Sequence, residues 1–283
     1  MSATMHVSDP GTKWTVRDPL ELALRIRLRA VRMVASQGLG YLGQALSAAE
    51  QVAAVFAAAR PGKDQLVCSP GHYIIGPFAA AAELGLIAEA DVGTYGQNGS
   101  AFEAIGTERS PVVDYTCGSL GQGLSAAVGL ALADRLHDSD SRIYAMVSDG
   151  ELEEGQVWEA AMFAAHHRLD KITVLLDANN SQVDGPVDSI TTIEPIAAKW
   201  TAFGWHAQDI DGHDIDGILT AIGRAAAETT RPSVVICRTS TRHGLDCLPP
   251  DADGHFIKLP PPLAAAAVDE LTGKLANLGG PRE

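Results

Sequence analysis

The sequence predicts an α/β fold, a doubly wound and mostly parallel sheet with helices on both faces. Short apolar runs at 143–147 and 172–176 lack polar alternation, which marks strands buried on both faces. Helix-length segments separate such runs, so successive strands are expected to run parallel through crossovers. Hydrophobic content of 46% with 28 Gly and 15 Pro fits a globular enzyme with many tight loops.

Residues 1–18 are expected as a flexible arm and 19–283 as one domain. The first helix is expected over 19–36. Leu22, Ile26, Ala30, Met33 and Val34 share one face, and Arg25, Arg29 and Arg32 form a solvated basic face opposite. A turn rich in glycine (Gly38, Gly40, Gly43) follows. Ser47 and Glu50 have the spacing of a capping box for a helix running to residue 59. Residues 65–68 read as a short strand ending in Ser69-Pro70-Gly71-His72. An alanine-rich helix is expected over 77–90, and irregular chain over 91–115. A second turn, Gly118 to Gly123, opens a small-residue helix over 124–136. Beyond the strand at 143–147 come a helix (153–167) and the strand at 172–176. Helix 193–203, strand 205–208, helix 215–227 and strand 233–237 complete the alternation. The Pro- and Asp-rich stretch 248–263 is an irregular loop before a last helix, 263–278.

The formal charge of −14 argues against nucleic acid, whose phosphates need a basic face. It also means that a phosphorylated ligand needs local compensation. Cys68, Cys117, Cys237 and Cys247 are scattered, without a CxxC, and read as free thiols of a reducing cytoplasm. The first residues have no apolar core, so they are not read as a signal peptide. No stretch approaches the ~18 uninterrupted apolar residues of a membrane span.

The segment from Ser148 to Gly185 is the most informative. Asp149-Gly150 ends one apolar run and Asn179-Asn180 ends the next, thirty positions on. One helix and one strand fit between them. A carboxylate and an amide oxygen therefore meet at the carboxyl edge of a parallel sheet, where ligands of such folds bind. That pair suits Mg2+ or Ca2+ and, through the metal, a diphosphate. Gly150 lets a phosphate oxygen approach the backbone, and the next helix offers its N-terminus. Alone, Asp149 reads equally as a helix cap, and Asn-Asn as a polar turn.

The layout resembles the thiamine diphosphate motif, Gly-Asp-Gly followed at roughly this spacing by Asn. DGELEEGQVWEAAMFAAHHRLDKITVLLDANNSQVDG resembles the transketolase family, especially its two-component form with a separate N-terminal subunit. SPGH (69–72), GSLGQG (118–123) and DIDGHD (209–214) fit the same family. The resemblance implies that Asp149 and Asn179 ligate the metal through side chains, and Ser181 through its carbonyl. It places Gly150 and His72 at the diphosphate, Gly118 and Leu120 along the cofactor, and Val183 on the thiazolium side. Glu154 matches a glutamate at the subunit interface. His255 matches a histidine between diphosphate and substrate, and His243 is a further candidate to face the substrate.

The sequence also departs from the family. Ser148 replaces the first Gly of the motif, and Asn179-Asn180 replaces Asn-Gly, which a left-handed Asn permits. Tyr41 stands where a substrate-facing histidine is usual. No histidine lies between His72 and His137, where the family carries one that reaches ketose hydroxyls. The donor is therefore expected to differ from an ordinary ketose phosphate. A 2-oxo acid or an unusual sugar of a specialised carbohydrate pathway fits.

The family activates its cofactor with a glutamate of a pyrimidine-binding domain, and a whole transketolase is about twice this length. The resemblance thus implies a C-terminal partner subunit carrying that domain, in an α2β2 assembly with apolar Gly/Ala-rich helices at a large interface. The alternatives are the α subunit of a 2-oxo acid dehydrogenase or decarboxylase, and a catalytically inactive scaffold paralogue.

Overall fold

The computed structural model describes residues 5–250, 252 and 254–278. Its elements in chain order are α1 (Pro19–Ala35), β1 (Leu39–Gly40), α2 (Leu42–Ser47), α3 (Ala49–Ala58), β2 (Gln65–Pro70), α4 (Ile75–Glu83), α5 (Glu89–Val92), β3 (Tyr115–Cys117), α6 (Gln122–Leu136), β4 (Ile143–Ser148), α7 (Gly155–His166), β5 (Ile172–Ala178), α8 (Val187–Ile190), α9 (Ile196–Ala202), β6 (His206–Asp211), α10 (Ile215–Ala227), β7 (Ser233–Arg238), β8 (Ile257–Lys258) and α11 (Pro261–Leu278). The main sheet has the order β3-β2-β4-β5-β7-β6, and every pairing in it is parallel. β2 leads to β3 on one side, whereas β4 leads to β5 on the other. The connections leaving β2 and β4 therefore diverge, and their exits frame a crevice.

Alternate strand residues feed two apolar layers, as a period of two requires. Tyr144, Met146, Leu175 and Val235 pack with α1, α3, α4, α10 and α11. Ala145, Val147, Val174, Leu176 and Ile236 pack with α6, α7 and α9. Trp200 and Trp205 seal the second layer, and the Trp205 indole N–H donates to the Ala161 carbonyl at 2.9 Å.

α1 starts where Asp18 accepts from the backbone N–H groups of Leu20 and Glu21. Of its three outer arginines, Arg32 is exposed as expected, whereas Arg25 and Arg29 are paired. Arg25 meets Glu21, and Arg29 meets Glu83 and Glu89. Arg27 is buried and grips Glu50 through both guanidinium ends, at 2.6 and 2.5 Å. Burial alone would raise the Glu50 carboxyl, but Arg27 and His213 outweigh it and hold it at about 2.

Several local expectations are corrected. Ser47 and Glu50 form no capping box. Ser47 ends α2 and donates to buried Asp177, while Glu50 is claimed by Arg27. The expected helix over 77–90 breaks at Gly85 (φ +72°), giving α4 and α5. β3 emerges from the end of the segment expected to be irregular. It has three residues and lies at the sheet edge, too short to show a pattern. The described part of the expected loose arm packs down. The Val7 N–H donates to Val112 O at 2.9 Å, and the Trp14 ring meets Phe56 edge-on at 5.5 Å.

The buried ion pair yields a stability test. Arg27→Met alone strands the Glu50 carboxylate and should cost about 3–5 kcal/mol. Adding Glu50→Leu should recover most of that loss in urea titrations, because no buried charge then lacks a partner.

Candidate active site

The exits of β4 and β5 are stitched together. Ser148 lies opposite Asp177 in the ladder, and the next rung joins the Asp149 N–H to Asp177 O at 3.1 Å. The Asp149 carboxylate accepts from the N–H groups of Gly150 (2.8 Å) and Asn180 (2.6 Å). Asn180 adopts the left-handed conformation expected of it, φ +57°. Asn179 donates from Nδ2 to Asp177 Oδ2 at 2.7 Å and to the Tyr73 hydroxyl at 2.8 Å. Its Oδ1 is thereby turned the other way, where it accepts from the Ser181 N–H at 2.9 Å. Asp149, Asn179 and Ser181 thus lie on one connected turn.

Two observations fit a divalent cation at this turn. The donor set is hard oxygen: a carboxylate, an amide carbonyl and a main-chain carbonyl. Asp149 is 2% exposed, and burial, then the neighbouring Asp177 charge, push its carboxyl up to about 7. Such a site holds too much negative potential for its surroundings and is relieved by a cation.

Two buried acids were passed over in the sequence. Asp177 accepts from Ser47, Gln51, Tyr73, Asn179 and Thr239. Its signal was a charged residue inside an otherwise apolar strand. Glu151, fully buried, accepts from the Ser69 hydroxyl and the N–H groups of Gly121 and Ser148. Burial pushes its carboxyl up to about 7. It ties the exits of β2 and β4 to the 118–123 loop.

Gly118 is exposed and Leu120 half-buried in that loop. Gly121 has φ +79°, and a Cβ there would sit 2.8 Å from the Glu154 Cβ, so loop and α7 start are in close contact. Glu154 is exposed and makes no capping bond to α7. Val183 is 73% exposed at the tip of the loop after β5.

Beside the β2 exit, aromatic rings cluster. Tyr41 lies 5.1 Å from His72, 5.7 Å from His255 and 5.0 Å from Phe256, measured between centroids. His72 and His255 are 4.9 Å apart. Burial, then the His255 ring, hold His72 down at about 3, so it is a neutral imidazole. His255 Nδ1 lies 3.0 Å from Gln44 Nε2.

His243 joins a different group. Its ring stacks on His213 at 3.6 Å and approaches Glu50 at 4.0 Å. Glu50, His213 and His243 are close enough to share a metal. However, Arg27 takes both Glu50 oxygens. His213 places Nδ1 3.3 Å from Glu50 and accepts from the Ser240 N–H at Nε2. Stacked rings cannot both aim lone pairs at one ion, and the group reads as packing.

A parallel sheet with hard oxygen donors at diverging strand exits defines an α/β domain built for a phosphorylated ligand. The chain belongs to the transketolase family, matching its thiamine diphosphate binding domain over residues 20–275. It is 39% identical over 259 residues to the transketolase family protein y4mO of Sinorhizobium fredii, covering 88% of this chain and 93% of that protein. It is 37% identical over 256 residues to the 6-deoxy-6-sulfo-D-fructose transketolase subunit SqwG of a Clostridium species, covering 87% and 93%. Against human transketolase the identity is 30% over 267 residues, covering 91% of this chain but 42% of the human protein. The crystal structure of Campylobacter jejuni transketolase superposes with a TM-score of 0.83 at 25% identity, covering 91% of this chain and 43% of that one. The chain therefore spans less than half of these full-length transketolases.

His72 makes a pH prediction. Its folded value, about 3, lies below its ordinary value of 6.5. Between the two, the unfolded chain binds a proton at this ring and the folded chain does not. Stability from this group is thus present above pH 6.5 and is lost as pH falls toward 3, by at most about 1.4 kcal/mol per pH unit. Urea midpoints between pH 7 and pH 4 should fall less steeply in His72→Gln than in the parent.

Proposed function

We propose that this chain is the diphosphate-binding subunit of a two-component transketolase-like enzyme. The enzyme transfers a two-carbon unit from a ketose or 2-oxo acid donor to an aldehyde or ketone acceptor. The observation that carries this reading is the β4–β5 turn, with buried Asp149 beside an Asn179 amide oriented by Asp177.

In this reading Asp149 and Asn179 hold Mg2+ or Ca2+ through their side chains, and Ser181 through its carbonyl. Gly150 admits the diphosphate, and Gly118, Leu120 and Val183 border the cofactor. Thiamine diphosphate, when bound, supplies the electron sink for breaking and forming the C–C bond. The chain supplies anchoring and orientation. His72, held neutral, offers the diphosphate a hydrogen bond without adding charge. His255 stands between the diphosphate and the substrate.

Coverage supports a separate partner. The chain spans 93% of the subunit-sized relatives and 42% of human transketolase. The C-terminal subunit would bring the pyrimidine-binding domain and its glutamate. Exposed Val183 and Glu154 suit surfaces covered in an α2β2 assembly, with Glu154 beside its symmetry mate. Four free thiols suit a reducing cytoplasm. Among the described residues no helix is long and apolar enough to cross a membrane.

The Tyr41–His72–His255–Phe256 cluster supports an altered donor, because an aromatic wall replaces a hydroxyl-binding histidine. A relative named for a sulfonated sugar fits the same idea. The family match weighs against a 2-oxo acid dehydrogenase α subunit, and the retained oxygen donors weigh against an inactive scaffold.

Calorimetry with thiamine diphosphate and Mg2+, with and without the co-expressed C-terminal subunit, tests the reading. Tight binding should need the partner and weaken about a hundredfold or more in Asp149→Ala. No binding in any combination overturns the cofactor reading. Full turnover of xylulose 5-phosphate by the assembled enzyme overturns the altered donor.

A further inference from the structure

We propose that Ile105 is a specificity-determining residue that selects the unit transferred, favouring an acetyl unit, which ends in a methyl, over a hydroxyacetyl unit. The proposal rests on the reading of this chain as a diphosphate-binding subunit. It narrows the donor to a methyl ketone, either a 2-oxo acid or a 1-deoxyketose.

Ile105 is 41% exposed, between buried Phe102 and Gly106. A single exposed aliphatic residue is ordinary on a protein surface. This one is held at the ligand-side edge of the sheet. The Gly106 N–H donates to the Gly71 carbonyl at 2.9 Å, one residue before His72. A Cβ on Gly106 would come within 2.6 Å of Thr116 Cγ2, so the loop lies flat against β3. Thr107 closes the loop, with its N–H 3.0 Å from Ser110 Oγ and its hydroxyl 2.6 Å from Glu103 Oε2. Arg109 takes the other Glu103 oxygen at 3.0 Å. Ile105 Cγ2 lies 3.3 Å from where a Cβ on Gly118 would stand. The isoleucine thus leans on a bare stretch of backbone, at the residue that the proposed reading sets along the cofactor.

In a donor, the part nearest the cofactor is the unit retained for transfer, and the part that leaves lies farther out. A side chain resting on Gly118 therefore faces the retained unit. Ile105 has neither donor nor acceptor to offer. A hydroxyl pressed against it gives up water and receives no hydrogen bond in exchange, whereas a methyl gains from leaving water. The polar side chains around it are already engaged. Glu103 holds Thr107 and Arg109, and the Cys117 thiol donates to the Ser119 carbonyl at 3.2 Å.

The transfer balances without an outside oxidant. The bond from the donor carbonyl carbon to its neighbour breaks, and the electron pair stays with the acetyl unit. A 2-oxo acid releases carbon dioxide; a 1-deoxyketose releases an aldehyde and the proton of its neighbouring hydroxyl. The acetyl carbon then bonds to the carbonyl carbon of an acceptor aldehyde, whose oxygen takes up a proton.

The test uses the assembled enzyme, with the C-terminal subunit, thiamine diphosphate and Mg2+. Two donor pairs that differ by one oxygen are compared by kcat/KM: pyruvate against hydroxypyruvate, and 1-deoxyxylulose against xylulose. The parent should favour the methyl member of at least one pair about tenfold or more, and that pair names the donor class. Ile105→Val stays apolar and should keep the ratio. Ile105→Thr has nearly the shape of valine but carries a hydroxyl, and should lower the ratio about tenfold. A general defect in folding or assembly slows both members alike and cancels in the ratio. A parent without the methyl preference in either pair overturns the proposal, as does one ratio shared by the Val and Thr variants. Weakened subunit assembly with an unchanged ratio would make Ile105 a partner contact and overturn it too. Failure of the parent to bind the cofactor in calorimetry overturns instead the subunit reading beneath it.

Discussion

One buried carboxylate holds the ligand-side edge of this molecule together. Asp177 sits at the end of β5, 1% exposed, and accepts hydrogen bonds from five side chains at 2.5–2.9 Å. The donors come from α2 (Ser47), α3 (Gln51), the β2 exit (Tyr73), the next turn (Asn179) and the β7 exit (Thr239). Such charge-assisted bonds are about twice as strong as neutral ones, and a buried charge is tolerable only when its oxygens are satisfied. The arrangement is therefore all-or-none. It turns the Asn179 amide, fixes Tyr73 next to His72, and lifts the Asp149 carboxyl through its own charge.

An acidic chain that binds a diphosphate faces an apparent contradiction, and the placing of its charge resolves it. Of the arginines, Arg27 is spent on Glu50, and Arg238 on Glu194 and Asp209. What the β4–β5 turn offers instead is carboxylate and carbonyl oxygen. Asp149, Asp177 and Glu151 lie close in sequence or space there, and burial costs two of them their ordinary acidity. A divalent cation between such oxygens and a diphosphate satisfies both. Glu151 serves another end, pinning Ser69, Gly121 and Ser148, so that the exits of β2 and β4 and the loop before α6 keep a fixed spacing.

The sheet and the motif positions were legible in the sequence, because period and turn chemistry are local signals. The unalternating runs became β4 and β5, and helix 215–227 was read to the residue. Asp149 and Asn179 were found because each ends an apolar run. What stayed hidden was set by partners distant in sequence. Ser47 and Glu50 have a capping box's spacing, yet Asp177 and Arg27 are the stronger claimants, and neither is visible from residue 50. Arg27 drew no reading because nothing local marks a buried arginine. β3 was missed because three residues carry no periodicity, and its pairing with β2 is a property of the folded sheet. The aromatic cluster joins residue 41 to residue 256, which no window can see.

That last separation has a consequence for how the molecule comes into being. Gln44 and His255 are 211 positions apart, and β1 pairs with β8 across a similar interval. Contacts of such length demand closure of nearly the whole chain before they return any energy. During synthesis, the first half can form α1 to β4, but the histidine strap can close over α2 only after residue 258 is free. The Asp149 turn, made by residues 149–181, does not wait for it. A nascent chain can thus form the hydrogen bonds of its 149–181 turn before its aromatic wall, and the two sides of the crevice mature at different times.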